Sequence, residues 1–311
     1  MKYTSFSLRF SLAAVLVAAL ACSASAARPM SAKDVERVKN SLIHRGDGTG
    51  RPDNTMEALL YTWAKGYIPE CDIRTTKDGQ IVAFHDDGLK GRRICDWLWA
   101  ELREEDVGSY RGAQYATCRA PLWKTIFTAM EENPRRRIYV DFKTVSPEKV
   151  AELVKGHGLE RQAYFITREY DLIKRYKAAL PEGRTLHWMN LGNWGRIDFD
   201  KPGECAKCEA YEMVLFEKAA KENFKDIDNV QLHCQVRKAA DGTFTFCPRV
   251  ETMTACIARL HAAGVEASMC VWQKEANDPE VYKTLWEIGF DSFGTDYPEA
   301  LYKAVADLSK Q

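Results

Sequence analysis

The stretch IYVDFKTVSPEKVAELVKGHGLERQAYFITR, residues 138–168, reads as strand, helix and strand in one short span. Ile138 to Thr144 is rich in β-branched and aromatic residues, as a strand is. Ser146-Pro147 then marks a helix start, with a capping hydroxyl ahead of a proline at the first helical position. The helical run ends at Gly158, and Ala163 to Arg168 is a second strand. A helix-length connection lets the two strands lie parallel, which a tight turn cannot do.

The same unit recurs in both directions. Strand-like runs are SLIHR (41–45), YIPECDIRT (67–75), TLHWMN (185–190), VQLHCQV (230–236), EASMCVW (266–272) and FDSFGTD (290–296). Helix-like runs lie between them at 55–66, 121–133, 169–180, 211–224, 249–264 and 278–289, with Gly264 and Gly289 closing the last two. About eight such repeats predict an α/β fold, a closed (β/α)8 TIM barrel. A doubly wound open sheet is the alternative, because periodicity alone does not show closure. QIVAFHDD (80–87) follows a KDG turn too short for a crossover, so it is expected to pair as a hairpin with the strand before it. Residues 86–120 are irregular and rich in turn residues, a short insertion after the second strand that leaves the barrel and covers its site. With no low-complexity linker, residues 27–311 form one domain.

Neither sign of charge is in excess: 44 basic and 44 acidic side chains give a formal net charge of zero. That balance argues against a nucleic-acid binder, which needs basic excess for the phosphate backbone. No Gly-x-Gly-x-x-Gly or P-loop follows the first strand, so nucleotide binding has no support. The chain begins with Lys2 and Arg9, the apolar run Leu12 to Ala21 and the small-residue stretch SASA. This is the layout of a signal peptide over residues 1–26, cleaved after Ala26, and places the mature protein in the periplasm or outside the cell. The run is too short for a stable membrane span. Lipidation of Cys22 is the weaker alternative.

Export implies an oxidising compartment, where cysteines pair. Cys95–Cys118 and Cys234–Cys247 are the expected bridges among Cys71, Cys95, Cys118, Cys205, Cys208, Cys234, Cys247, Cys256 and Cys270. A zinc site from Cys205, Cys208 and either His233 or Cys234 is a further option, weakened by the lack of a second Cys-x-x-Cys pair.

Glu70 and Asp72 stand two apart in a strand, so both carboxylates face one side. Asp141 and Lys143 repeat that spacing at the end of another strand. Three carboxylates at the C-terminal mouth of a barrel make an oxygen-rich nest for one hard divalent cation, Mg²⁺ or Ca²⁺. Arg45 and Lys143 beside it suit an anion, and phosphate fits the fork of a guanidinium. His44 and His85 sit at strand-to-loop boundaries, where imidazoles can accept and donate protons. The set suits a small-molecule phosphodiester: one group activates the attacking oxygen and another protonates the leaving alkoxide.

HRG (44–46), PDNT (52–55), ECDIRTTKDGQIVAFHDD (70–87), APLW (120–123), DFK (141–143), VW (271–272) and GTDYPE (294–299) together resemble the glycerophosphodiester phosphodiesterases, in family order. The resemblance runs from about residue 41 to the end. It implies a TIM barrel with a small insertion, and metal-dependent hydrolysis of glycerophosphodiesters to glycerol 3-phosphate and an alcohol. It implies His44 and His85 as the acid/base pair, Glu70 and Asp72 as metal ligands, Arg45 as a phosphate contact and Trp272 as packing against glycerol. Two motifs depart from the family pattern, with Asp53 and Asp141 where glutamate is usual. The segment GLKGRR (88–93) is shorter than its counterpart, and KPGECAKCEA (201–210) has none. Asp296 either lies near the site or shapes the last turn, while Asn54 and Thr55 are expected to fix the loop or cap the helix at Met56. A lysophospholipase D, another polyol or sugar phosphodiesterase, and a non-catalytic barrel for phosphorylated ligands are the alternative readings.

Overall fold

A computed structural model describes residues 28–189 and 197–310. The proposed signal peptide and Cys22 lie outside the described residues. Eight parallel strands close on themselves: β1 (Leu42–Ile43), β2 (Ile68–Thr75), β3 (Ile138–Phe142), β4 (Ala163–Thr167), β5 (Arg184–Trp188), β6 (Asn229–Lys238), β7 (Glu266–Val271) and β8 (Ser292–Thr295). Closure runs through β1, whose Leu42 sits in register between Ile68 of β2 and Gly294 of β8. The open-sheet alternative is thereby excluded.

Alternation along the strands sorts two cores. Tyr139, Tyr164, Ile166 and Leu186 pack with Leu42 and Ile68 inside the barrel. Their chain neighbours Val140 and Phe165 point outward against Trp123, Phe127, Val150 and Val154 of the surrounding helices. The inward set continues upward in the same parity as Glu70, Asp72, Asp141, His233 and Trp272, so the barrel is greasy below and polar at its C-terminal mouth.

The helices follow their signals: Ser146 caps Pro147–Gly156 through the Lys149 amide, and Gly289 ends Pro279–Ile288 at φ +116°. Three differences from the sequence reading stand out. The strand expected over 41–45 stops at Ile43, and His44–Gly46 forms a 3-10 turn in which Arg45 takes φ +50°. The helix expected to begin at Tyr211 begins at Glu204, so Cys205 and Cys208 lie in its first turns. Pro298–Leu308 adds a further helix after β8, unread because its apolar positions follow the GTDYPE motif directly.

The hairpin is present: Ile81–Ala83 runs antiparallel to the end of β2. The 86–120 segment contains a two-stranded ribbon, Gly88–Leu89 with Arg92–Arg93, then short helical turns. Ile94, Trp97 and Leu102 anchor it on Val82. No helix of the described residues is long and apolar enough to cross a membrane.

All nine described cysteines are free thiols, contrary to the expected bridges. The strand Phe244–Cys247 runs antiparallel to the outer end of β6 with Cys247 directly opposite Gln235, so period-two alternation turns Cys234 to the other face. Cys95 is exposed beside Asp96, whereas Cys118 is buried against Glu57. The zinc option fails for a related reason: His233 and Cys234 belong to the barrel wall, and the His233 ring stacks on Trp188, 5.5 Å between centroids.

Phe165 is fully buried between β4 and the helix carrying Tyr176, stacked at 4.6 Å. Replacing it with Ala is expected to lower unfolding free energy by about 3–5 kcal/mol, measured by denaturant titration.

Candidate active site

β2 and β3 are neighbours in register, with Asp72 opposite Asp141 and Glu70 opposite Tyr139. Parity therefore turns Glu70, Asp72 and Asp141 into the mouth, and one oxygen of each lies within 4.8 Å of the others. Burial pushes the Glu70 carboxyl well above its usual range, aided by the charges of Asp72 and Asp141. Burial and Asp72 together push Asp141 up to about 6. Such proximity without a cation is unfavourable, and Lys143 offsets part of it, at 2.7 Å from Asp141 and 3.1 Å from Asp72. Burial opposes the Lys143 charge, yet Asp141 and Asp72 hold its pKa above the ordinary value.

Each carboxylate is oriented by a specific partner. Asn54 donates to Asp72 Oδ2 at 2.8 Å and accepts from the Asp72 amide at 2.8 Å. The Arg45 amide donates to Glu70 Oε2 at 2.7 Å. Glu70 Oε1 is buried with no hydrogen-bond partner. A buried carboxylate oxygen left unpaired is costly, and the donor set is hard oxygen throughout. The trio therefore fits a divalent cation of the Mg²⁺ or Ca²⁺ kind. Among the described residues it is the one group of three acidic, histidine or cysteine side chains so gathered.

Arg45 is held from several sides. Its left-handed backbone directs its amide at Glu70, and its carbonyl accepts from the Asn54 amide at 2.8 Å. Its guanidinium donates to Asp53 at 2.9 Å and to His85 Nε2 at 2.9 Å. Asp53 also binds Arg111 of the 86–120 segment at 3.1 Å. The aspartate of PDNT is thus an arginine clamp that ties the insertion to the site.

The two histidines are oriented differently. A guanidinium can only donate, so His85 Nε2 is an acceptor and His85 Nδ1 donates to Asp86 at 2.7 Å. Burial lowers the His85 pKa, with the Arg45 and Lys143 charges adding to it. His44 Nδ1 lies 2.7 Å from Asp296, leaving Nε2 free to face a ligand. The rings are 6.5 Å apart, and Trp272 packs on His44 at 4.4 Å.

A pocket of about 440 Å³ is lined by His44, Arg45, Glu70, His85, Asp141, Lys143 and Trp272. Asp72 reaches the same place through Lys143, so all eight candidates from the sequence converge. Sequence reading missed several contributors. Asp86, marked only by its adjacency to His85, orients that ring, and Asp296, expected either near the site or in the last turn, orients His44. Gln231, His233 and Trp188 line the far wall with no motif to mark them. Arg45 and His85 also line a second cleft of about 450 Å³, formed with Phe84, Leu89 and Asp106 to Tyr110.

A sequence profile of the glycerophosphoryl diester phosphodiesterase family matches residues 44–300. The chain belongs to that family. Human lysophospholipase D GDPD1 is 31% identical over 149 residues, covering 43% of this chain and 46% of the human protein. A glycerophosphodiester phosphodiesterase of Caldanaerobacter subterraneus subsp. tengcongensis is 26% identical over 140 residues, covering 43% and 54%. These alignments span about half the length of the curated relatives. Solved structures share the fold. A glycerophosphoryl diester phosphodiesterase from Parabacteroides distasonis superposes with a TM-score of 0.64 at 18% identity, covering 91% of this chain and 94% of that one. A phosphodiesterase from Oleispira antarctica, in complex with the product sn-glycerol-3-phosphate, gives 0.60 at 20% identity, covering 86% and 96%.

Membership accounts for the order of the motifs, while the packing of HRG shows how they are held. The Gly48 amide donates to the His44 carbonyl at 2.7 Å, and the Thr49 amide donates to the Asp296 carbonyl at 2.8 Å. Gly48 takes φ +55°, and a Cβ there would overlap the Asp296 backbone. Gly48→Ala is expected to destabilise the fold by about 2 kcal/mol or more, read from thermal or chemical denaturation.

Proposed function

We propose that the protein hydrolyses glycerophosphodiesters to glycerol 3-phosphate and an alcohol, using one divalent cation and two histidines. The observation that carries this reading is the unpaired Glu70 Oε1 inside a carboxylate trio, with two oppositely prepared imidazoles across one pocket. Glu70, Asp72 and Asp141 hold the cation, which when bound supplies charge stabilisation for the phosphoryl oxygens. Arg45 and Lys143 bind those oxygens directly. Trp272 packs against the glycerol moiety.

The partners of the histidines divide the proton work. Arriving phosphate draws the Arg45 guanidinium away from His85. His85, kept neutral with Nε2 as an acceptor, then takes the proton of the attacking oxygen. His44, backed by the Asp296 carboxylate, carries a proton on Nε2 and delivers it to the departing alkoxide as the P–O bond breaks. The 6.5 Å between the rings leaves room for a phosphoryl group between them.

The second cleft supports a further reading of the substrate. Phe84, Leu89, Val107 and Tyr110 give it an apolar side that begins at His85, away from the alcohol that departs at His44. A lysophospholipid, whose acyl chain sits on the glycerol that stays with the phosphate, would use that surface.

His44→Ala and His85→Ala are each expected to reduce kcat by roughly 10²–10⁴-fold with an unchanged circular dichroism spectrum. Release of glycerol phosphate from glycerophosphocholine is expected to stop in EDTA and to return on adding Mg²⁺ or Ca²⁺. Near-full activity in either variant or in EDTA contradicts the mechanism. Faster turnover of lysophosphatidylcholine than of glycerophosphocholine selects the lipid reading.

Cation binding is separable from turnover. By calorimetry, Asn54→Ala should weaken the cation by roughly 10–100-fold, since it removes the partner that orients Asp72. Glu70→Gln, which keeps shape but removes charge, should weaken it further. Unaltered affinity in both variants places the ion elsewhere.

A further inference from the structure

Outside the barrel mouth, the sulfur chemistry of the chain gathers at one place. Helix Glu204–Ala220 carries Cys205 and Cys208 one turn apart on its first face. Both meet the side chain of Cys247, on the strand Phe244–Cys247 that pairs with the outer end of β6. The Cys247 thiol also donates to the Cys205 carbonyl at 3.4 Å. Cys247 is fully buried, whereas Cys205 and Cys208 are half-buried and open to reagents.

The arrangement suits pairwise bonding rather than one metal ion. The three sulfurs do not all lie within 4.8 Å of one another, and the fourth ligands considered from sequence, His233 and Cys234, belong to the barrel wall. Cys247 instead stands between two alternative partners.

We propose that Cys205, Cys208 and Cys247 form a disulfide site in which Cys247 is the shared partner, bonding to Cys205 or Cys208 and leaving the other thiol free to exchange. The oxidant is a disulfide, either a small-molecule one or that of a thiol oxidoreductase. The thiolate of Cys205 or Cys208 attacks it, forming a mixed disulfide and expelling one thiol. Cys247 then displaces the second thiol, and the new bond joins the two cysteines. Two protein thiols have lost two electrons and two protons, and the oxidant has become two thiols. Burial raises the pKa values of Cys205 and Cys208, so exchange quickens as pH rises.

The bridge ties the helix to the hairpin that continues β6. Further along the same helix, Glu212 accepts from the His233 amide at 2.8 Å, and Glu209 binds Arg249 beyond the hairpin. The clip therefore braces the wall of the pocket that carries His233. This inference does not depend on the proposed reaction.

The test is to incubate the purified full chain with oxidised glutathione and map its disulfides by mass spectrometry without reduction. The expected products link Cys247 to Cys205 or to Cys208. Cys205→Ser should leave only the Cys208–Cys247 bridge, Cys208→Ser only the Cys205–Cys247 bridge, and oxidation should raise the Tm by on the order of 5 °C. Cys247 recovered as a free thiol, or joined to Cys234 or Cys256, overturns the proposal. So does stoichiometric zinc on the reduced protein that is lost in Cys205→Ser.

Discussion

Repulsion among three close-set carboxylates is the constraint around which this barrel mouth is built. Glu70, Asp72 and Asp141 share one side of two adjacent strands, the first two buried and Asp141 partly so. In that setting burial and neighbouring charge push Glu70 and Asp141 toward their protonated forms. Lys143 relieves the strain in part, Asn54 and the Arg45 amide relieve more, and one oxygen is left unpaired. The donors are hard oxygens throughout, a set that suits a divalent cation.

The rest of the site follows from holding that cluster still. Arg45 adopts a left-handed backbone so that its amide points at Glu70 while its guanidinium crosses to His85. One residue thus couples the carboxylate trio to His85. Asp53 fixes the guanidinium and reaches Arg111, so the 86–120 segment senses the same network. The shorter aspartate, where the family usually has glutamate, sits on the arginine rather than among the carboxylates. At position 141 the shorter side chain does enter the trio, and Lys143 at 2.7 Å fills space beside it.

The outer hairpin of β6 shows how far alternation governs contacts. Cys247 and Cys234 are near in the ladder yet on opposite faces, whereas Cys205 and Cys208 come from a distant helix to meet Cys247. A bridge between neighbours in the ladder reads well from spacing and fails on parity. The same rule, applied inside the barrel, is what brings Leu42, Tyr139 and Leu186 together as core and lifts His44, Asp141 and Trp188 above them.

By itself the sequence determined the alternation of strands and helices, the KDG hairpin and eight of the side chains that meet at the barrel mouth. Those features are local: period-two and helical spacing, a proline after serine, and charged residues two apart at strand ends. Only the tertiary structure decided that β1 pairs with both β2 and β8 to close the sheet, because closure depends on registers between segments far apart in the chain. It alone joined His44 to Asp296, gave Asn54 to Asp72, began a helix at Glu204 and set Cys247 against Cys205 and Cys208. Side-chain partners are chosen by distance in space, and the barrel brings together groups that no spacing along the chain connects.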